Sequence, residues 1–275
     1  NSASGIVAMA HGAKGPNLTI STACSSSAHA LGQALQCIRS GQADVIIAVG
    51  ADASITPLVF AGFCSLRALS SEFNDSPERA SRPFDRLRDG FVMGEGSATL
   101  VVESWAHAKK RKAKVYAELV GYAATSEAYH MVIPQEDGQE IATTMKIGLD
   151  SAGIGPDQVD YINAHATSTT IGDAVETKAV RSLFKNRADK IAISATKSLI
   201  GHTLGAAGAI GAVATTLSIH TGQIHPTANY EEPDPACRLD GITRAVQERK
   251  VRYALLNAFG FGSNNATVVF KKFVA

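Results

Sequence analysis

Two segments of this chain set reactive side chains in the same frame. The first reads Ile20-Ser-Thr-Ala-Cys24, followed by His29 and Leu31-Gly32. The second reads Ile193-Ser-Ala-Thr-Lys197, followed by His202 and Leu204-Gly205. Each has the pattern of a short strand, a tight turn with a reactive residue, and a helix of small residues. Such a repeat predicts two related half-folds that face each other. One half offers a thiol, the other an amine and imidazoles, a set equipped for covalent chemistry on a carbonyl.

Taken alone, each residue is ambiguous. Cys24 sits where a strand gives way to a helix, and the N–H groups and dipole of a helix N-terminus favour a thiolate. It reads equally well as a small buried residue in a turn. His165 follows a strand in Tyr161-Ile-Asn-Ala-His-Ala-Thr-Ser-Thr-Thr-Ile-Gly-Asp173, at a strand tip where open α/β sheets bind ligands. Asp173 is the expected N-cap of the helix that follows. His202 lies just beyond Lys197, again at a strand-to-helix turn. A single histidine is more often structural, but two at equivalent strand ends beside a thiol and a lysine shift the weight. His11, His29, His107, His130, His220 and His225 keep the structural reading, Cys37 reads as core, and Cys64 and Cys237 have no evident partner. In Asn257-Ala-Phe-Gly-Phe-Gly-Ser-Asn-Asn265 the glycines let backbone approach a ligand closely, and two phenylalanines can wall an apolar pocket. By itself this loop is no more than a glycine turn. Gly90 to Gly96 lacks the Lys-Ser/Thr of a phosphate cradle and reads as a turn before a strand. Lys109-Lys-Arg-Lys112 is a solvated face, or a dock for an acidic partner.

The elements that must position these residues follow from periodicity. Helices are expected over 25–40, 139–151, 173–184 and 203–221, and strands over 44–50, 97–103, 115–122, 159–163, 190–194, 251–257 and 266–271. The apolar run 44–50 suits a parallel sheet covered on both faces. The stretch 57–89 reads as loop and 105–114 as a basic helix end. Strands alternating with helices give an α/β layered fold. The run from Leu204 to Ile219 is expected to be a buried helix, too short and weakly apolar to span a bilayer.

With 275 residues, 45% hydrophobic and 19% charged, the chain can bury a substantial core, and a formal net charge of +1 gives no reason to expect nucleic acid. The four cysteines, without CxxC spacing, indicate neither a metal site nor a disulfide framework. The expected compartment is reducing and cytoplasmic, with an organellar one left open. The chain starts at Asn1 without Met, and an upstream segment is expected.

Together the segments resemble the β-ketoacyl-acyl carrier protein synthases, condensing enzymes of the thiolase fold, and most closely their elongating type II branch. The resemblance rests on Thr22-Ala-Cys-Ser-Ser26, Asn163-Ala-His-Ala-Thr-Ser-Thr169, Thr196-Lys-Ser-Leu-Ile-Gly-His202 with Leu204-Gly-Ala-Ala-Gly208, and Asn257-Ala-Phe-Gly-Phe-Gly262. Arg82-Pro-Phe-Asp85, Arg88-Asp-Gly-Phe91 and Ala128-Tyr-His-Met131 add to it. It implies two pseudo-symmetric βαβ halves in an α/β/α/β/α arrangement, residues 1–113 with the first half incomplete and residues 114–275. It further implies that Cys24 carries the acyl chain and that His165 and His202 promote malonyl decarboxylation while Lys197 orients the site. The N–H groups of Cys24 and Phe261 would form the oxyanion hole, and Phe84, Phe259, Gly260, Phe261 and Gly262 would line or gate the acyl pocket. No metal or organic cofactor is implied: the substrate arrives on the phosphopantetheine of an acyl carrier protein, and the family works as a homodimer without membrane insertion.

Four departures stand out. Gly211 occupies a position where the family usually has a glutamate, leaving Glu176 as the candidate partner of Lys197. Ser263-Asn264 replaces Gly-Thr, which is expected to stiffen the gate, and Ala166 replaces a glycine, a smaller change. About the first third of a family member is absent, so apolar sheet surface should be exposed. Three alternatives stay open: a specialised synthase of a nodulation-factor, aryl-polyene or polyketide pathway, a non-catalytic partner subunit, and a thiolase acting on coenzyme A thioesters. The paired histidines disfavour the last.

Overall fold

The computed structural model describes residues 1–274. The chain runs through α1 (Ser2–His11), α2 (Ser26–Arg39), β1 (Val45–Asp52), α3 (Pro57–Ser65), β2 (Gly96–Glu103) and α4 (Trp105–Lys110). It continues through β3 (Glu118–Ser126), α5 (Gln139–Ser151), β4 (Tyr161–Asn163), α6 (Thr170–Phe184), β5 (Ala192–Ser194), α7 (Lys197–Ile200) and α8 (Ala207–Thr221). The short pair β6 (Gln223–Ile224) and β7 (Gln247–Glu248) precedes the closing strands β8 (Tyr253–Gly260) and β9 (Asn264–Lys271).

β1 and β2 pair antiparallel from Val45↔Glu103 to Asp52↔Gly96. The second sheet has five strands in the order β3-β9-β8-β4-β5. β4 runs parallel to β5 and β8, and β9 runs antiparallel to β3 and β8. The succession of reactive turn, helix and antiparallel strand pair therefore occurs twice: Cys24, α2, β1–β2, then Lys197, α8, β8–β9.

α2 and α8 lie side by side between the sheets. They approach closely because their facing residues are small: a Cβ on Gly208 would stand 2.6 Å from the Ala28 nitrogen, and Ala209 N–H donates to Ser27 Oγ at 2.8 Å. Ala28, Leu31, Ala212 and Ile219 form this middle core with Leu256, Val268 and Phe270. Leu255 and Val269, alternating with them, face the opposite core under α5 and α6, beside Met145, Leu149 and Val180. The period of two along β8 and β9 thus serves two cores at once.

Four of the five expected layers are present among the described residues. No fifth covers the outer face of β1–β2, where Val45, Val49 and Val101 are 38%, 39% and 59% exposed. The expectation that 44–50 is a parallel strand covered on both sides is corrected: its partner is the returning strand β2, and only the side against α2 and α8 is packed. The expected strand before Cys24 is reduced to a bridge between Thr22 and Cys24.

Pro57–Ser65, expected as loop, is a helix whose N-cap Thr56 accepts from Val59 N–H, with Pro57 where a missing N–H costs nothing. α6 starts three residues earlier than expected, capped by Thr169 accepting from Gly172 N–H at 3.2 Å. Asp173 is not the cap: its carboxylate takes the N–H groups of Phe84 (2.8 Å) and Ser168 (3.1 Å). Leu204–Thr221 is, on length and composition alone, apolar enough to cross a membrane, contrary to expectation, and half of it is buried. Its place between the two sheets accounts for that apolarity.

Candidate active site

The nucleophile turn is built by its own serines. Ala23 takes φ 50°, a left-handed conformation that an L-residue holds only when its surroundings fix it. Ser26 Oγ accepts from Thr22 N–H at 2.9 Å, and Ser25 Oγ donates to Thr22 O at 2.7 Å. These bonds hold Cys24 just ahead of α2, with its side chain buried at 7% exposure. The backbone N–H groups of Cys24 and Phe261 point at the thiol, and the charge of Lys197 also favours the thiolate. Burial outweighs all three and pushes the thiol up to about 11, with Asp52 adding to the rise. The sequence expectation of a thiolate at the helix start is therefore corrected: the resting group is a protonated thiol, because loss of hydration exceeds the N-terminal attraction.

Both histidines are fixed by backbone. His165 Nδ1 accepts from Phe259 N–H at 3.2 Å, and His202 Nδ1 accepts from Leu204 N–H at 3.2 Å. An imidazole that accepts at Nδ1 carries its proton on Nε2. The His202 Nε2 is buried without a partner. The rings stand edge to face with centroids 5.8 Å apart. Burial, and then the Lys197 charge, lower both well below the ordinary histidine range, so both are neutral.

Lys197 donates to the His165 carbonyl and lies 3.5 Å from His165 Nδ1. Burial draws it down to about 8, against the pull of Glu176. Glu176 makes no ion pair with it. Its two oxygens take the N–H groups of His165 (2.9 Å) and Ala166 (2.8 Å), and Asn257 Nδ2 donates to it at 3.0 Å. The expected Lys197 partner is thus a clamp on the His165 turn that favours the cation at longer range.

The Phe261–Ser263 turn between β8 and β9 leans directly on the nucleophile: a Cβ on Gly260 would meet Thr22 O at 2.5 Å. The turn is tied to the segment after β3, with Gly262 N–H donating to Met131 O (2.7 Å) and Ser263 Oγ to His130 O (3.0 Å). Phe259 packs beside the His165 ring, centroids 5.3 Å apart. Phe84 departs from its expected place at the acyl pocket. It is 1% exposed within the core under α5 and α6, held there by Asp173.

Sequence reasoning missed two supports. Gly90–Gly96 is more than a turn: Val92 O accepts from His202 N–H at 2.7 Å, and Phe91 stands 5.3 Å from the imidazole. Asp52, ending β1, reaches across to Gly205 N–H at 3.0 Å. Phe91 closes the Arg88-Asp-Gly-Phe91 motif without any sign of its role there, and only the position of Asp52 at a strand end signalled it. Of the remaining histidines, His29 Nδ1 bonds Tyr122 OH (2.7 Å) and His225 Nε2 bonds Thr196 Oγ1 (3.0 Å). Among the described residues no group of three or more His, Cys, Asp or Glu side chains is placed to hold a metal ion.

Two facing halves, with a thiol on one and paired imidazoles and a lysine on the other, define the thiolase-like fold in its ketosynthase form. The chain belongs to the β-ketoacyl synthase family. Residues 1–108 match the N-terminal domain of beta-ketoacyl synthase and residues 116–231 its C-terminal domain. The chain is 46% identical to 3-oxoacyl-[acyl-carrier-protein] synthase 2 of Coxiella burnetii, over 99% of this chain and 66% of that protein. It is 48% identical to the mitochondrial 3-oxoacyl-[acyl-carrier-protein] synthase of Arabidopsis thaliana, over 98% and 59%. A type II polyketide ketosynthase, solved with its acyl-carrier protein and bound to the hexaketide, superposes with TM-score 0.97 at 40% identity, over 99% of this chain and 67% of that one. The chain thus spans just under two thirds of the curated relatives' length.

Proposed function

We propose that this chain carries the reaction centre of an elongating β-ketoacyl-acyl carrier protein synthase, an acyltransferase of class EC 2.3.1. The observation that carries the reading is the pair of neutral imidazoles, each held at Nδ1 by a backbone N–H, beside a buried thiol faced by two further N–H groups.

In the first half-reaction Cys24 Sγ attacks the carbonyl of an acyl thioester on the carrier's phosphopantetheine. The Cys24 and Phe261 N–H groups take the charge of the tetrahedral intermediate. The departing pantetheine sulfur takes the proton that Cys24 loses, which leaves acyl-Cys24. In the second, the malonyl carboxylate leaves as carbon dioxide and its electron pair passes to the thioester enolate. The Nε2–H groups of His165 and His202 stabilise that enolate oxygen. The enolate carbon attacks acyl-Cys24, and collapse expels the thiolate, which is reprotonated from water. Lys197 keeps both imidazoles neutral and His165 in place. Phe259, Gly260, Phe261 and Gly262 close the acyl channel.

On this reading residues 1–113 supply the nucleophile and residues 114–275 the histidines and lysine. No metal or organic cofactor takes part. The partners are an acyl carrier protein and a second copy of the same protein, in the cytoplasm or an organelle matrix. A polyketide chain is the second reading, favoured by the 0.97 likeness to a polyketide ketosynthase.

Intact mass measurement after incubation with acyl-carrier thioesters of graded length tests the proposal. An acyl increment mapped to Cys24, followed by carbon dioxide release from malonyl carrier protein, is expected. An increment on another residue, or none on the full protein, would overturn it.

A further inference from the structure

We propose that Asp52, from the first half, is a positioning residue for the second: its carboxylate fixes the turn that holds His202. The inference builds on the roles given above to Cys24 and His202.

The turn after His202 leads into α8 through Leu204, Gly205 and Ala206, and two successive amides at its head are spoken for. Leu204 N–H goes to His202 Nδ1 (3.2 Å), and Gly205 N–H goes to Asp52 Oδ2 (3.0 Å). Leu204 lies between them at φ 45°, a strained conformation for a γ-branched L-residue. A peptide in such a turn needs an external tether, and the carboxylate from β1 provides one. Rotation of the Leu204–Gly205 peptide would swing the neighbouring amide away from His202 and free the imidazole to turn. Asp52 is itself anchored: Ser54 Oγ donates to its Oδ1. The carboxylate also sits at the head of α8, where negative charge is favoured.

The same charge acts on the nucleophile. Asp52 and Lys197 act on Cys24 with opposite signs, Lys197 the more strongly. Asp52 opposes the thiolate while Lys197 favours it. The residue therefore links the protonation of the thiol to the orientation of the imidazole that serves the second half-reaction.

Two variants separate these roles. Asp52→Asn keeps an oxygen for Gly205 and removes the charge, whereas Asp52→Ala removes both. The first readout, in the full protein, is the rate of Cys24 alkylation by iodoacetamide at pH 8, followed by peptide mass mapping. Both variants should react a few-fold faster, because removing the opposing charge favours the thiolate. The second is kcat for decarboxylation of malonyl carrier protein, which should fall about tenfold in Asp52→Ala with little change in KM, as expected for losing a charge-assisted hydrogen bond. Asp52→Asn should recover most of that loss. Should Asp52→Ala not fold, Asp52→Ser, too short to reach Gly205, carries the same expectation. Unchanged alkylation in Asp52→Asn, or wild-type decarboxylation in the folded Ala or Ser variant, would overturn the proposal. If wild type itself released no carbon dioxide, the function proposed above would fail, and alkylation, which needs no substrate, would still decide for or against Asp52.

Discussion

The Cys24 thiol is where opposing effects are weighed most closely. Two N–H groups and a lysine favour its thiolate, yet burial keeps it protonated, up to about 11. Free enzyme at pH 7 would then hold on the order of one thiolate in ten thousand. Alkylation of Cys24 should be slow at neutral pH and rise about tenfold per unit toward that value; a plateau near pH 8 would contradict it. Cys24→Ala should abolish acyl-enzyme formation and Cys37→Ala should not, since Cys37 is buried on α2. The two neutral histidines carry a stability signature. Below about pH 6.5 the unfolded chain takes up protons that the folded site refuses, so their contribution is present above that pH and lost as it falls. Asp173, pushed up to about 6 by burial, acts oppositely: the fold holds a proton that the unfolded chain releases, and stability declines as pH rises from about 4 to 6. Urea titrations of wild type and His202→Gln should therefore diverge progressively as pH falls below about 6.5, with the shallower acid slope in the variant. Ala166, expected to be a minor change from glycine, sits at φ 32°. Ala166→Gly should raise stability by about 1 kcal/mol in denaturant melts, the family glycine at this position having marked the place but not the strain.

Helix faces and strand alternation were legible because burial imposes its period on residue type: α5 runs over the expected 139–151, and β8 and β9 differ from expectation by a few residues. Ends set by a single polar contact were not. Thr169 and Asp173 can both cap a helix, and only the demand of Phe84 and Ser168 for Asp173 decides between them. α3 was misread because its run is apolar on every side, although only Val59 and Phe63 pack on the cluster around Cys24 and Phe91 while Leu58 is 83% exposed. The site motifs were legible by resemblance, whereas Asp52, which reaches a distant backbone amide, and Val92, which supports His202 through its own carbonyl, leave no composition signal. α8 illustrates how packing constrains sequence. Gly211 is fixed by Leu256 Cδ1, which would stand 2.7 Å from an added Cβ, and its carbonyl accepts from Asn163 Nδ2 at 3.1 Å. Gly211→Ala would gain about 1 kcal/mol of helix propensity and lose about 1–3 kcal/mol to overpacking. A net loss in thermal midpoint is expected, and Gly211→Ala should cost less in a Leu256→Ala background than in the wild type.

At the scale of the molecule, the uncovered face of β1–β2 sets the agenda. Val45, Val49 and Val101 present an apolar row to solvent, of the kind that working proteins keep covered. The homodimer proposed for the full protein should appear in sedimentation equilibrium at micromolar concentration, and a monomer there would contradict it. The contact between Gly260 and the Thr22–Ser25 turn bears on how the chain is made. The nucleophile leaves the ribosome well before the amide of Phe261 that faces it is joined. Contacts between such distant positions close slowly because the intervening loop must first be ordered. Until that segment is made the cysteine is thus a hydrated thiol, open to oxidants and electrophiles, and the arrival of Gly260 and Phe261 helps withdraw it from water.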